Sequence, residues 1–228
     1  GAGSLDNWVG FTELDRARLG WVYLTFGNPP GPGRETTAML NRFLEMNPKL
    51  KIMVRVWPIG SLGWKENRYQ ATFLDYRYKP GVREKLLAET TRQIRSVMDD
   101  ISKPENVMGF TFLEELPYHF CDDGLDVSDP AKTPWGVAKY RKEIEAELGP
   151  GFVWDLKAKQ WWGRTFAAVL SEINAHIKKV SGGKWVFVYL QTNHDTLDWA
   201  APGEDGSRAN LLPFRWRDVV KPGVADGF

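Results

Sequence analysis

An α/β fold, with a parallel sheet covered by helices, is what this sequence predicts, and three observations carry the prediction. Four short apolar runs, Trp21–Phe26, Lys51–Trp57, Val107–Leu113 and Lys184–Leu190, alternate with stretches of helical periodicity. The runs are near-continuously apolar rather than alternating, which is how strands buried on both faces read. The 228 residues, 43% hydrophobic and 26% charged, match an ordinary globular domain and exclude disordered and collagen-like chains.

The elements follow in order. Trp21–Phe26 is rich in aromatic and β-branched residues and is closed by Gly27-Asn-Pro-Pro-Gly-Pro-Gly33, so it reads as a buried strand ending in a rigid loop. A helix is expected from about Glu35 to Met46, with Met39, Leu40, Phe43 and Leu44 on one face and Asn47-Pro48 as its stop. Lys51–Trp57 is the next strand, closed by Pro58. A long insertion at about 58–80 follows. Val82–Ile101 carries Leu86, Leu87, Ile94, Val97 and Met98 at helical spacing. Lys103-Pro104 turns the chain into the strand Val107–Leu113. A second insertion is expected at about 116–163, with a helix near Val137–Leu148. Phe166, Val169, Leu170, Ile173, Ile177 and Val180 mark an amphipathic helix ended by Ser181-Gly-Gly183. Lys184–Leu190 is the fourth strand, and Ala225–Phe228 opens another after the turn Lys221-Pro222-Gly223.

Composition narrows the function. The net charge of +1 makes no electrostatic case for nucleic acid or an anionic membrane, and no apolar run is long enough to span a bilayer. Cys121 is the single cysteine, so there is no internal disulfide and no multi-cysteine zinc site. It stands beside Asp122, which would raise a thiol pKa and argues against a cysteine nucleophile. No G-x-S-x-G or G-x-G-x-x-G occurs. Gly27–Gly33 holds three prolines, which remove N–H groups a phosphate cradle needs. Ser181–Lys184 has P-loop composition but runs from helix into strand, the wrong direction.

In both parallel architectures, the doubly wound sheet and the (β/α)8 barrel, ligands bind at the carboxyl ends of the strands. Here those ends bring Trp57, Glu114-Glu115 and Gln191-Thr-Asn-His-Asp195. Two carboxylates closing an apolar strand are the sharpest of these. Neighbouring strand residues point to opposite sides, so one of the pair faces the site, and burial beside another carboxyl raises its pKa toward that of a general acid. Asp195 is a candidate partner carboxylate. Nine of the 11 tryptophans lie outside the strand interiors or at their ends. Trp57, Trp64 and Trp161, with Tyr118, His119, Gln191, Asn193 and His194, offer flat faces and hydrogen-bonding groups suited to a sugar ring. The same aromatics would also serve as small satellite cores under long loops.

The run Val107-Met-Gly-Phe-Thr-Phe-Leu-Glu-Glu-Leu-Pro117 resembles the fourth-strand segment of retaining, two-carboxylate glycoside hydrolases of the (β/α)8 TIM-barrel type. Their G-[FY]-x-[FL]-x-[DE]-E-P pattern puts the general acid/base six residues after the glycine, here at Glu115. The chain departs by Leu116 before Pro117 and by lacking an Asn-Glu pair. The resemblance implies a carbohydrate substrate, no cofactor, and about four to five βα units of a partial barrel. It makes Trp21–Phe26, Lys51–Val56 and Val107–Leu113 the second to fourth strands, and sets the nucleophile on a seventh strand outside this sequence. A retaining reaction needs its two carboxyls about 5–5.5 Å apart.

Two rival classes stay open. A metal-dependent hydrolase would use His119, Asp122, Asp123, His194 and Asp195, although no H-E-x-x-H or H-x-H pair occurs. A non-catalytic carbohydrate-binding barrel would use the aromatics without the acids.

Overall fold

The computed structural model describes residues 20–25, 34–62, 64–65, 68–69, 72–112, 135–188 and 221–227. It is a mixed α/β structure built on a parallel sheet. Strand β1 (Trp21–Thr25) leads through helix α1 (Arg34–Met46) to β2 (Lys51–Val56). A 3-10 turn (Pro58–Leu62), a two-stranded antiparallel hairpin of β3 (Trp64–Lys65) and β4 (Arg68–Tyr69), and the short helix α2 (Phe73–Tyr78) then precede α3 (Val82–Asp100). Strand β5 (Val107–Phe112) follows the 3-10 turn Pro104–Asn106. Helices α4 (Trp135–Lys139), α5 (Arg141–Leu148) and α6 (Leu156–Val180) lead to β6 (Trp185–Phe187).

The sheet order is β1-β2-β5-β6, and every pairing is parallel. The segment expected to open a further strand joins it as a parallel bridge between Phe187 and Gly227. Asp226 donates its N–H to the Val186 carbonyl at 2.7 Å, and the Val188 N–H reaches the Gly227 carbonyl at 3.0 Å. The Asp226 carboxylate takes the Val186 N–H at 2.8 Å and pairs with Lys178. Within this sheet, each strand therefore lies beside the sheet's next strand in chain order.

The three crossover helices touch in the same order. Asn41 on α1 donates to the Asp100 carbonyl at the end of α3 and accepts the Ser102 N–H. Arg83 on α3 pairs with Glu172 on α6, and Thr91 meets His176 at 2.8 Å. Helices on opposite faces of a sheet could not meet, so all three lie on one side.

Paired residues in a parallel ladder point to the same face. Ile52, Val54 and Val56 of β2 share one face with Phe110, Phe112 and Val186, and all six belong to the buried core with Leu40, Leu44, Leu86, Ile94, Ile173 and Ile177. The second face carries Met53 and Arg55, register-paired with Gly109 and Thr111. Arg55 and Thr111 are buried there despite their polarity.

Local chemistry explains the boundaries. Thr72 and Asp75 form a reciprocal capping box that starts α2, and the Asp155 carboxylate caps α6 at the Ala158 N–H. Gly182 and Gly183, both at positive φ, turn the chain out of α6.

Two expectations need correction. Helix α6 begins at Leu156 rather than near Phe166, because Asp155 supplies a cap and the intervening residues have a partner to bury against. The expected insertion at 116–163 therefore ends in helix, and its described part is mostly α4, α5 and the first turns of α6. The expected single helix at Val137–Leu148 is two helices that meet at Tyr140.

At 25 residues α6 is about 37 Å long, whereas a six-residue strand spans about 20 Å. Only Ser181–Lys184 separates α6 from β6, and a crossover helix runs antiparallel to its strands. The helix is therefore longer than the described strands that it covers.

Candidate functional site at the carboxyl ends of the strands

Two described groups of side chains occupy this end of the molecule. The first is on the sheet. Arg55 stands one residue before the end of β2, and its guanidinium carbon lies 4.8 Å from the ring centroid of Trp57. A cation over an indole face is attracted by the ring quadrupole, more strongly when water is excluded. Arg55 is 6% and Trp57 9% exposed, so water is largely excluded here. The backbone N–H of Trp57 donates to the side-chain oxygen of Gln93 on α3 at 2.7 Å. Gln93 in turn donates to Glu89 at 2.9 Å, and Arg92 grips Glu89 with two nitrogens. Partial burial would raise the Glu89 carboxyl, but its bonds from Arg92 and Gln93 outweigh that and hold it below its ordinary value. This chain of bonds fixes the exit of β2 to the neighbouring helix.

The second group gathers where α2, α4 and α5 meet the first turns of α6. Trp162, which is fully buried, meets Phe73 edge-on at 4.9 Å, and Phe73 meets Phe166 at 5.5 Å. These rings dock α2 on the first turns of α6. On the other flank of α2, Asp75 accepts from the Thr72 N–H and hydroxyl, from Lys139 and from the Tyr140 hydroxyl. Burial alone would raise Asp75; the bonds from Lys139, Tyr140 and the Thr72 backbone outweigh it and lower the pKa. Glu147 of α5 receives Arg77 at 2.8 Å, the Tyr78 hydroxyl at 2.7 Å and the Trp161 indole N–H at 2.9 Å. It too is held low, because bonds from Trp161, Tyr78 and Arg77 exceed the upward push of burial.

The candidate residues read from sequence divide accordingly. Trp57 stands at the strand end as expected, held by Gln93 and stacked on Arg55. Trp161 lies on helix α6, 7% exposed, with its N–H spent on Glu147. It is a packing residue of this second group, because the helix start brings it against α5 rather than into a loop. Trp162, one of the nine tryptophans outside the strand interiors, is likewise in the core. Trp64 pairs with Tyr69 across the β3-β4 hairpin. Glu114, Glu115, Tyr118, His119, Asp122, Asp123, Gln191, Asn193, His194 and Asp195 lie outside the described residues.

Sequence reading missed Arg55, Gln93, Asp75 and Glu147. A lone arginine inside Ile-Met-Val-Arg-Val was a visible signal for the first, and Thr72-x-x-Asp75 is a legible capping box. Nothing local marks Gln93 or Glu147. Among the described residues, no group of three or more His, Cys, Asp or Glu side chains is arranged to hold a metal ion, and no helix is long and apolar enough to cross a membrane. Family models, curated proteins and solved structures were compared with the chain, and none matches it.

Proposed function

We propose that this chain is a glycoside-hydrolase-like domain on a partial (β/α)8 barrel, acting on an oligo- or polysaccharide with Glu115 as general acid/base. The order of the sheet carries the reading. A doubly wound sheet starts in the middle, reverses, and places helices on both faces. A (β/α)8 barrel winds one way, with each strand beside its successor and every helix outside. Four strands in chain order, a fifth bridging segment and three crossover helices on one side fit the second pattern.

The two sheet faces support the same reading. In a barrel the helix-free face is the interior, and its carboxyl end is the site. Arg55 and Thr111 occupy that face. Counting on by twos from Gly109 and Thr111 reaches Leu113 and Glu115, so a strand prolonged in the same phase carries Glu115 on the Arg55 face and Glu114 on the helix face. Trp185 begins β6 on this face, in register with Gly109, and is 53% exposed, which fits an interior that further strands would cover.

Glu115 would protonate the glycosidic oxygen as a second carboxylate attacks the anomeric carbon and the alcohol leaves; the deprotonated Glu115 would then take a proton from the water that displaces that carboxylate and frees the sugar. The test is Glu115→Gln in the full-length protein, beside Glu114→Gln. Loss of hydrolysis with retained oligosaccharide binding in the first variant alone supports the assignment. Unchanged turnover removes Glu115 from the mechanism, and binding without hydrolysis in the unmodified protein favours a carbohydrate-binding barrel.

A further inference from the structure

We propose that Arg55 is a positioning residue of the strand-end site: its guanidinium is the counter-charge that orients the Glu115 carboxylate and favours its ionised form. The inference rests on the reading above, in which the phase of β5 carries Glu115 on the Arg55 face.

Arg55 is the last residue but one of β2 and is 6% exposed. A guanidinium keeps its charge at any working pH. A charge taken out of water is stable only with an opposite charge and hydrogen bonds around it. The Trp57 ring, 4.8 Å from the guanidinium carbon, supplies part of that compensation. Trp57 stands past the end of β2, so this contact draws the guanidinium toward the carboxyl end. Val56 pairs with Phe112, which sets Trp57 level with position 113 of the neighbouring strand. Glu115 is two positions further on, about 7 Å by the rise of a strand, with about 4.8 Å between neighbouring strands. Two long side chains close that gap.

The cation has a fixed place. Trp57 is held through its backbone by Gln93, and Gln93 by Glu89, which Arg92 grips. That pair is the charged group of α3 linked to this strand end, and its two members meet each other. On the helix-free face, Met53, Gly109, Thr111, Trp185 and Phe187 carry no charge, and Glu114 falls on the other face in the same phase. Arg55 is therefore the group that acts on Glu115 from the described strands. An acid/base residue must release its proton and later take one back. Burial favours the neutral acid, and a cation in contact lowers a carboxyl pKa by about 1–3 units.

Titration of Glu115 in the full-length protein tests the pair without substrate. NMR of isotope-labelled glutamate follows it, assigned by the signal lost in Glu115→Gln. Arg55→Met is expected to raise the Glu115 pKa by about one unit or more, and Arg55→Lys to recover most of the shift. A second measurement needs no change at Arg55. Exchange of its guanidinium protons should quicken about tenfold in Glu115→Gln, the equivalent of one pKa unit, and stay unchanged in Glu114→Gln. An unmoved Glu115 titration in Arg55→Met overturns the proposal, as does a shift at Glu114 in its place. If Arg55→Met does not fold, the exchange decides: equal rates in Glu115→Gln and the unmodified protein overturn it. Hydrolysis lost in Glu115→Gln with an unmoved titration removes Arg55 and leaves the acid/base assignment standing. A shifted titration with unchanged turnover keeps the pair and removes that assignment.

Discussion

The indole N–H of Trp161 points at the Glu147 carboxylate over 2.9 Å, and this bond ties α6 to α5. Trp161→Phe keeps an aromatic ring but removes the donor. Glu147 would keep Arg77 and Tyr78 yet lose one of its three partners. The expected loss is about 1.5–3 kcal/mol, the usual range for a bond to a charged group. A chain of this size loses about 2–4 °C in Tm per kcal/mol. Thermal unfolding of the variant checks this. A Tm unchanged together with weakened oligosaccharide binding would return Trp161 to the site.

Acid should weaken the fold in two stages. His176 is held below its ordinary value of 6.5, first by burial and then by the charges of Lys179 and Arg83, against the Leu87 carbonyl and Glu172. A depressed folded pKa means the unfolded chain takes the proton first. Stability from this group is present above about pH 6.5 and is lost as pH falls through the folded value. Asp75, Glu147 and Asp226 are depressed as well, so their contributions hold above about pH 4.5 and fall away below it. Denaturant midpoints measured from pH 8 to pH 3 should fall first near 6.5 and again below 4.5. His176→Gln should remove the first decline and leave the second; a first decline that survives the substitution assigns it to another group.

At Gly109 the neighbouring strand β6 leaves no room for a side chain. A Cβ there would stand 2.5 Å from the Trp185 carbonyl oxygen and 3.0 Å from its carbon, both backbone atoms that cannot swing aside. Gly109→Ala should therefore push β6 away and cost about 1–3 kcal/mol or more, as overpacking does. A variant with wild-type stability and unchanged protection of the Val186 amide would show that the strands have room to separate.

Asn174 is a buried amide on α6, 1% exposed, and neither its oxygen nor its nitrogen has a hydrogen-bond partner among the described residues. An unmet buried polar group costs about 1–3 kcal/mol, and an apolar replacement of the same shape avoids that cost. Asn174→Leu is expected to raise the denaturant midpoint. A lowered midpoint would show that the amide is satisfied in solution, as ordered water can do.

Much of the architecture was legible because it is periodic. The apolar runs at Lys51–Val56 and Val107–Phe112 and the spacing of Val82, Leu86, Ile94 and Val97 announce strands and a helix without any tertiary knowledge. The site was legible only in outline. Chain order predicted that polar chemistry gathers at strand ends, and Trp57 is there, but the pairing of Arg55 with its ring and the Gln93 anchor depend on residues on a neighbouring helix.

The sequence by itself determined the alternation of strand and helix and the buried faces of α1, α3 and α6. Each of these is set by residues within a few positions of one another, where backbone geometry and side-chain spacing act directly. Tertiary structure alone decided that Trp161 and Trp162 are buried in the core, and that Asp75 and Glu147 gather donors from distant segments. Asp75 meets Tyr140 across 65 positions and Arg77 meets Glu147 across 70. Such contacts exist only after the sheet has brought its excursions together, and no local pattern of residues carries their partners' identity.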